Sequence, residues 1–227
     1  METSKLDISS DINTQTITGA VMPNMNLGYR FFKHLIDIVG SLVVLVVLSP
    51  LLLLIAILIK IDDPKADVIY KQLRAGKGGK PFYCYKFRTM VSYADEVKDQ
   101  LMSQNEMDGP VFKIRDDPRV TSIGKFIRKL SLDEYVQLIN VLKGDISLVG
   151  PRPLPVAEAE ACNAFQKQRE LVKPGVTCIW QISGRNDVSF VRWMEMDIEY
   201  ISNQNIWLDI EILLKTIPAV LFTKGAS

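Results

Sequence analysis

Residues 35–61 are almost entirely aliphatic, broken only by Asp37, Gly40, Ser41, the Ser49-Pro50 pair and Lys60. The run exceeds the ~20 residues that a bilayer helix needs, so it is a membrane segment. A long polar stretch precedes it and no small-residue cleavage site follows, which excludes a cleavable signal peptide. Pro50 sits at its middle, where the missing N–H frees a backbone carbonyl that lipid cannot satisfy. Two arrangements absorb that defect: a span with a mild kink, or a re-entrant hairpin that turns at Ser49-Pro50 and returns both ends to one face.

The flanking charges bear on the choice. Arg30 and Lys33 precede the run, and Lys60, Lys65, Lys71 and Arg74 lie at its end and beyond. Positive residues stay on the cytoplasmic side, so both ends read as cytoplasmic. The halves 38–48 and 51–59 are each roughly 15 Å long at helical rise, enough to reach mid-bilayer and no further. The hairpin is therefore favoured over the kinked span. The expected organisation is a polar, mobile tail at 1–28, a re-entrant membrane hairpin at 29–63 and a cytosolic domain at 64–227.

Composition narrows the chemistry. With 27 basic and 26 acidic side chains the formal charge is +1, so nonspecific nucleic-acid binding is not expected and any anion site must be local. Cys84, Cys162 and Cys178 are odd in number and widely spaced, which excludes a disulfide framework and a zinc knuckle. The one histidine, His34, stands at the head of the apolar run, where an interfacial side chain is expected. Acid, base or nucleophile work falls to carboxylates.

Beyond the membrane segment the pattern is α+β and helix-rich. Residues 68–73 and 81–87 read as a small β-hairpin around Gly76-Lys77-Gly78-Gly79, which lacks the phosphate-loop signature. Lys86 and Arg88 share one strand face, either an anion-facing edge or a solvated one. A surface helix is expected over 94–104. Thr121 caps an amphipathic helix with Ile123, Phe126, Ile127 and Leu130 on one face and Lys125, Arg128 and Lys129 on the other. Ser131-Leu132-Asp133-Glu134 matches a capping box opening a second helix that closes near Gly144. In the structural reading Glu134 bonds back to the Ser131 amide. In the chemical reading, a helix N-terminus beside a basic helix draws a diphosphate and a divalent cation, and its positive end favours an ionised Asp133. A buried strand at 146–150 delivers Pro151-Arg152-Pro153, whose guanidinium suits either bidentate phosphate contact or a structural ion pair. A helix at 156–171, a strand at 176–182, a polar loop at 183–187, a helix at 190–201 carrying Asp197, and a final helix opened by Asp209 complete the chain. Trp207 and that final helix are candidates for the membrane interface.

Taken in order, the aliphatic run with Ser49-Pro50, Lys86-Phe87-Arg88-Thr89-Met90, Asp117-Pro118-Arg119, Ser131-Leu132-Asp133-Glu134, Ser147-Leu148-Val149-Gly150-Pro151-Arg152-Pro153, Lys173-Pro174-Gly175 and Ser183-Gly184-Arg185-Asn186 resemble the bacterial sugar transferase family, the small monotopic polyprenyl-phosphate glycosyl-1-phosphate transferases. The likeness runs from about Tyr29 to the C-terminus, and departs at Tyr135-Val136 and at Thr177-Cys178-Ile179. It implies that Ser49-Pro50 is the bend of a re-entrant hairpin. It also implies that Asp133 and Glu134 are the catalytic pair, Asp133 attacking the sugar-side phosphorus of a UDP-sugar, expelling UMP and holding a phosphosugar that polyprenyl (undecaprenyl) phosphate then takes. Mg²⁺ is the implied cofactor, with Asp133 as its protein ligand, and Glu134 either assists the metal or accepts a proton. Lys86, Arg88, Arg128, Arg152 and Arg185 are the phosphate and nucleotide candidates, with Asp197 and Asp209 as supporting acids.

The implied setting is the cytosolic face of the bacterial inner membrane, at the first membrane step of exopolysaccharide, capsule or glycan assembly. Membrane lipid, downstream glycosyltransferases and further copies of the chain are the implied partners. The extra N-terminal spans of larger forms are not expected. A catalytically silent membrane scaffold or a nucleotide-sugar sensor is the alternative.

Overall fold

The computed structural model describes residues 20–106, 109–112, 114, 116–183 and 188–222. Helix α1 (Leu27–Asp62) begins at Asn26, whose side chain accepts from the Tyr29 amide, and it is assigned as helix across Pro50. In an unbroken helix the residue-50 N–H would bond the carbonyl of Val46. Pro50 has no N–H, and the Ser49 hydroxyl donates to that Val46 oxygen at 2.8 Å instead. The Ser-Pro pair therefore repairs its own defect within one turn.

One stripe of α1 faces the rest of the protein along its whole length. Asp37, Ser41, Ile55 and Ile59 are buried on it, while Val39, Leu42, Val43, Val46, Val47, Leu53, Leu54 and Ile57 are exposed on the opposite side. Near its start Lys33 reaches Asp209 and Val149, and near its end Ile55 and Ile59 pack with Phe87, Ile127 and Val136. Both halves of the apolar helix thus rest on the same body.

Strands β1 (Ile69–Ala75) and β2 (Pro81–Phe87) form the expected antiparallel hairpin, with Tyr70 opposite Lys86 and Arg74 opposite Phe82. Helix α2 (Ser122–Lys129) starts at Thr121, whose hydroxyl accepts from the Gly124 amide. A Cβ on Gly124 would lie 2.0 Å from the Thr89 carbonyl oxygen, so glycine lets α2 lie directly on the end of the hairpin. Helix α3 (Gln137–Lys143) ends at Gly144 in the left-handed conformation, φ 80°, where glycine carries no Cβ penalty.

Strands β3 (Ser147–Val149) and β4 (Gly175–Thr177) pair in parallel. Short helices α4 (Val156–Glu160) and α5 (Ala164–Lys167) follow β3, and α6 (Ile179–Ile182), α7 (Phe190–Ser202) and α8 (Ile206–Phe222) follow β4.

Three stretches differ from expectation. Residues 94–104 are turns ending in a 3-10 segment, Asp99–Gln104. The long helix expected over 156–171 is divided because Asn163 and Gln166 form a capping box that starts a new helix in its middle. Within 176–182 the strand stops at Thr177 and α6 takes over, since short apolar runs do not distinguish strand from helix by periodicity.

The interior consists of neighbouring clusters. One gathers Leu138, Val141, Val149, Ile198, Ile201 and Ile212, with Ile36, Val44 and Leu45 of α1 packed against it. A second combines Ile55 and Ile59 of α1 with Phe87, Ile127, Leu132 and Val136. The architecture is a helix-rich α+β body built on a long apolar helix and a small antiparallel hairpin.

Candidate active site

Asp133 is presented by a tight 3-10 turn, Leu132–Glu134, entered through Ser131 in the left-handed region at φ 53°. A non-glycine residue there is uncommon and is held by its surroundings. Leu132 anchors the turn by packing into the cluster that contains Ile55 and Ile127. The expected capping box does not form, because the Ser131 side chain caps nothing and the Glu134 carboxylate is engaged elsewhere. Lys86 Nζ lies 2.7 Å from Glu134 Oε1, and Arg152 grips the same carboxylate with both terminal nitrogens, NH1 to Oε2 at 3.1 Å and NH2 to Oε1.

These groups open on a cavity of about 380 Å³ lined by Lys86, Arg88, Arg128, Asp133, Glu134 and Arg152 among others. Lys86 Nζ is 3.9 Å from Asp133 Oδ2, and none of the described residues donates a hydrogen bond to the Asp133 carboxylate. Arg128 donates through Nε to Thr89 Oγ1 at 2.9 Å, which leaves its two terminal nitrogens for the cavity. Arg88 spends its Nε on the Asp67 carbonyl at 2.8 Å and lies over the Tyr70 ring.

The adjacent acids feel opposite fields. Burial pushes Asp133 above the ordinary carboxylate range, with Glu134 adding to the rise and Lys86 and Arg128 opposing it. Burial also raises Glu134, but Arg152 and Lys86 outweigh it and hold that carboxyl well below the ordinary range. The turn that carries Asp133 is too short for a substantial helix dipole, so the effects that oppose its desolvation are the nearby cations Lys86, Arg128 and Arg152.

The remaining candidates fall in several places. Asp197 lies outside the cavity lining, 2% exposed, and receives Arg169 Nε at 3.0 Å and NH2 at 2.6 Å. Arg169 NH2 also donates to the Arg152 carbonyl at 2.5 Å, so Asp197 reaches the site through two arginines. Burial outweighs the opposing Arg169 and pushes Asp197 up to about 6. Asp209 is likewise outside the cavity lining, in a network with Tyr29, Lys33 and Tyr200. Arg185, with the loop around it, lies outside the described residues. Ser49 and Pro50 are exposed on α1.

Sequence reasoning missed Arg74 and Arg169. Arg74 lines the cavity and donates to the Pro153 carbonyl and to Gln72 Oε1; Tyr70, Gln72 and Arg74 line it together, and Tyr70 lies directly opposite Lys86. Period-2 alternation from Lys86 through the hairpin register was the signal that could have found it. Nothing local marks Arg169.

Among the described residues no group of three or more His, Cys, Asp or Glu side chains gathers into a metal cage. At phosphate sites Mg²⁺ is usually held by one or two carboxylates together with substrate phosphates and water. Asp133, ion-paired to Lys86 at 3.9 Å and accepting no hydrogen bond from the described residues, is the cavity carboxylate that would hold such an ion. The arrangement as a whole can gather a polyanion against the Asp133 carboxylate.

A family model described as bacterial sugar transferase matches residues 28–223. Among curated relatives, a galactosyl transferase CpsE from Streptococcus agalactiae serotype III is 41% identical over 232 residues, covering 100% of this chain and 51% of the relative. An undecaprenyl-phosphate galactose phosphotransferase from Salmonella typhimurium is 44% identical over 204 residues, 87% of this chain and 42% of the relative. The exopolysaccharide production protein ExoY from Rhizobium meliloti is 41% identical over 213 residues, 92% of each. The chain therefore spans about half the length of the first two and nearly all of the third.

Proposed function

Because the chain belongs to the bacterial sugar transferase family, we propose that it transfers a sugar 1-phosphate from a UDP-sugar to undecaprenyl phosphate, with Asp133 as the nucleophile. The observation that carries this reading is a cavity carboxylate, Asp133, that accepts no hydrogen bond from the described residues and lies among Lys86, Arg128 and Arg152, while the neighbouring Glu134 is held by Lys86 and Arg152. Relatives named for galactose phosphotransfer to undecaprenyl phosphate and for UDP-galactose-lipid carrier transfer support the reaction class.

In the first step an Asp133 oxygen attacks the sugar-side phosphorus and the bond from that phosphorus to the bridging oxygen breaks. UMP leaves with the electron pair. In the second, an oxygen of undecaprenyl phosphate attacks the same phosphorus, the aspartyl–phosphorus bond breaks, and the carboxylate is regenerated beside a lipid diphosphosugar. Mg²⁺, held by Asp133 and phosphate oxygens, would offset the repulsion between carboxylate and diphosphate. Arg128 and Arg152 orient the anions. Glu134, held ionised by Arg152 and Lys86, is poorly suited to accept a proton and instead fixes those two cations.

The lipid substrate requires the cavity to open at the bilayer. A re-entrant α1, bent at Ser49-Pro50 with both ends on the cytosolic face, meets that need, and the support is that both halves pack on one body. The site then lies at the cytosolic face of the inner membrane. The test is UMP release from a panel of UDP-sugars by the full chain in lipid nanodiscs containing undecaprenyl phosphate, with and without chelator. Asp133→Asn should lower turnover by roughly 10³-fold or more while the protein stays folded and membrane-bound, as loss of a covalent nucleophile requires. Wild-type turnover in that variant would remove Asp133 from the mechanism, and a silent wild type would favour the scaffold or sensor alternative.

A further inference from the structure

Strand β3 leads directly into the loop that carries Arg152, and α1 holds β3 at consecutive residues. Asp37 Oδ1 accepts from Ser147 Oγ at 2.9 Å and from the Leu148 amide at 2.8 Å. One helical turn earlier, Lys33 Nζ donates to the Val149 carbonyl at 3.0 Å. Lys33 is itself fixed by Asp209 Oδ2 at 3.0 Å and by the Tyr200 hydroxyl at 3.2 Å. The surfaces are in close contact, since a Cβ on Gly40 would come within 2.9 Å of Leu148 Cδ1. Asp37 is 7% exposed and Ser147 1%, so solvent cannot readily replace these bonds.

On the far side the same loop is held by β4. Gly150 N donates to the Thr177 carbonyl and Gly175 N to the Pro151 carbonyl, with Arg169 on the Arg152 carbonyl. The loop is thus gripped from the soluble body on one flank and from the apolar helix on the other. Arg152 in turn orients Glu134 beside Asp133.

We infer that Asp37, assisted by Lys33, is a positioning residue: the apolar helix sets the placement of β3 and through it the Arg152 guanidinium, so catalysis depends on how α1 is seated. This rests on the proposed role of Arg152 at the phosphate site.

The test uses the full chain in nanodiscs with UDP-galactose as probe donor and undecaprenyl phosphate as acceptor. Asp37→Leu removes both accepted bonds and lowers kcat roughly tenfold to a hundredfold, in the range that misplacing a catalytic group produces, with little change in KM for the donor. Asp37→Asn, whose amide oxygen accepts the same bonds, restores most of the rate. In an Arg152→Lys background Asp37→Leu adds less than about twofold, because both changes act on one group.

Losses that multiply, a Leu variant with wild-type kcat, or an Asn variant as poor as the Leu variant would each overturn the inference. Should Asp37→Leu fail to accumulate in membranes, Ser147→Ala removes one of the two bonds and is judged by the same cycle. Wild-type turnover in Arg152→Lys alone would overturn the functional reading beneath it. An impaired Arg152→Lys with multiplying losses would overturn only the positioning role.

Discussion

Lys86 and Glu134 are 48 positions apart in the chain and meet at 2.7 Å. That contact explains why residue types were legible and roles were not. Asp133, Lys86, Arg128 and Arg152 carry the chemistry that an anion site needs, and each could be singled out from the sequence. The Ser131–Glu134 spacing pointed to a local cap, yet a spacing rule sees only neighbours, and Arg152 and Lys86 compete successfully for the carboxylate. Arg169 escaped for the same reason, since its acceptors, Asp197 and the Arg152 carbonyl, are distant in the chain. Asp197 also makes a prediction. Its carboxyl is pushed up to about 6 from 3.8, so between those values the folded state holds a proton that the unfolded chain has lost. The contribution of Asp197 to stability therefore falls as pH rises through that window, by up to ~3 kcal/mol, and is flat above it. Thermal melts from pH 4 to 7 should show this decline in the wild type and a shallower one in Asp197→Asn; parallel slopes would contradict it.

At the scale of elements, strong periodic signals survived and ambiguous ones did not. The hairpin, α2 and α7 lie close to where turn chemistry, caps and apolar stripes placed them, whereas the helix expected to open at Ser131 is a 3-10 turn there and α3 starts only at Gln137. Residues 156–171 broke because Asn163 offers its own side chain to the backbone and restarts the helix. The apolar helix carries the sharpest element-level expectation. Ser49 supplies the donor that Pro50 withdraws, so the pair weakens the continuous ladder without leaving a bare carbonyl in lipid. Replacing both with alanine restores an ordinary ladder and favours a straight helix. A single cysteine introduced at Asn24 should then become reactive to a membrane-impermeant reagent from the periplasmic side, whereas the wild-type sequence with the same label stays protected. Protection in both would sink the re-entrant reading.

Across the whole molecule, the boundary drawn at residue 63 separates composition but not packing. Ile36, Val44 and Leu45 of α1 contribute to one apolar cluster, and Ile55 and Ile59 to another. Burying an aliphatic side chain of this kind is worth roughly 1.5–3 kcal/mol, a large share of the ~5–15 kcal/mol that separates folded from unfolded domains. A chain beginning at Asp63 should therefore aggregate or remain unfolded without detergent and release no UMP from UDP-sugars. A monodisperse, active product from that truncation would contradict the shared core.

That sharing also couples the body to the helix. A body that shares interior side chains with an apolar helix cannot let go of that helix without opening its own core. Whatever holds the helix therefore holds the body with it.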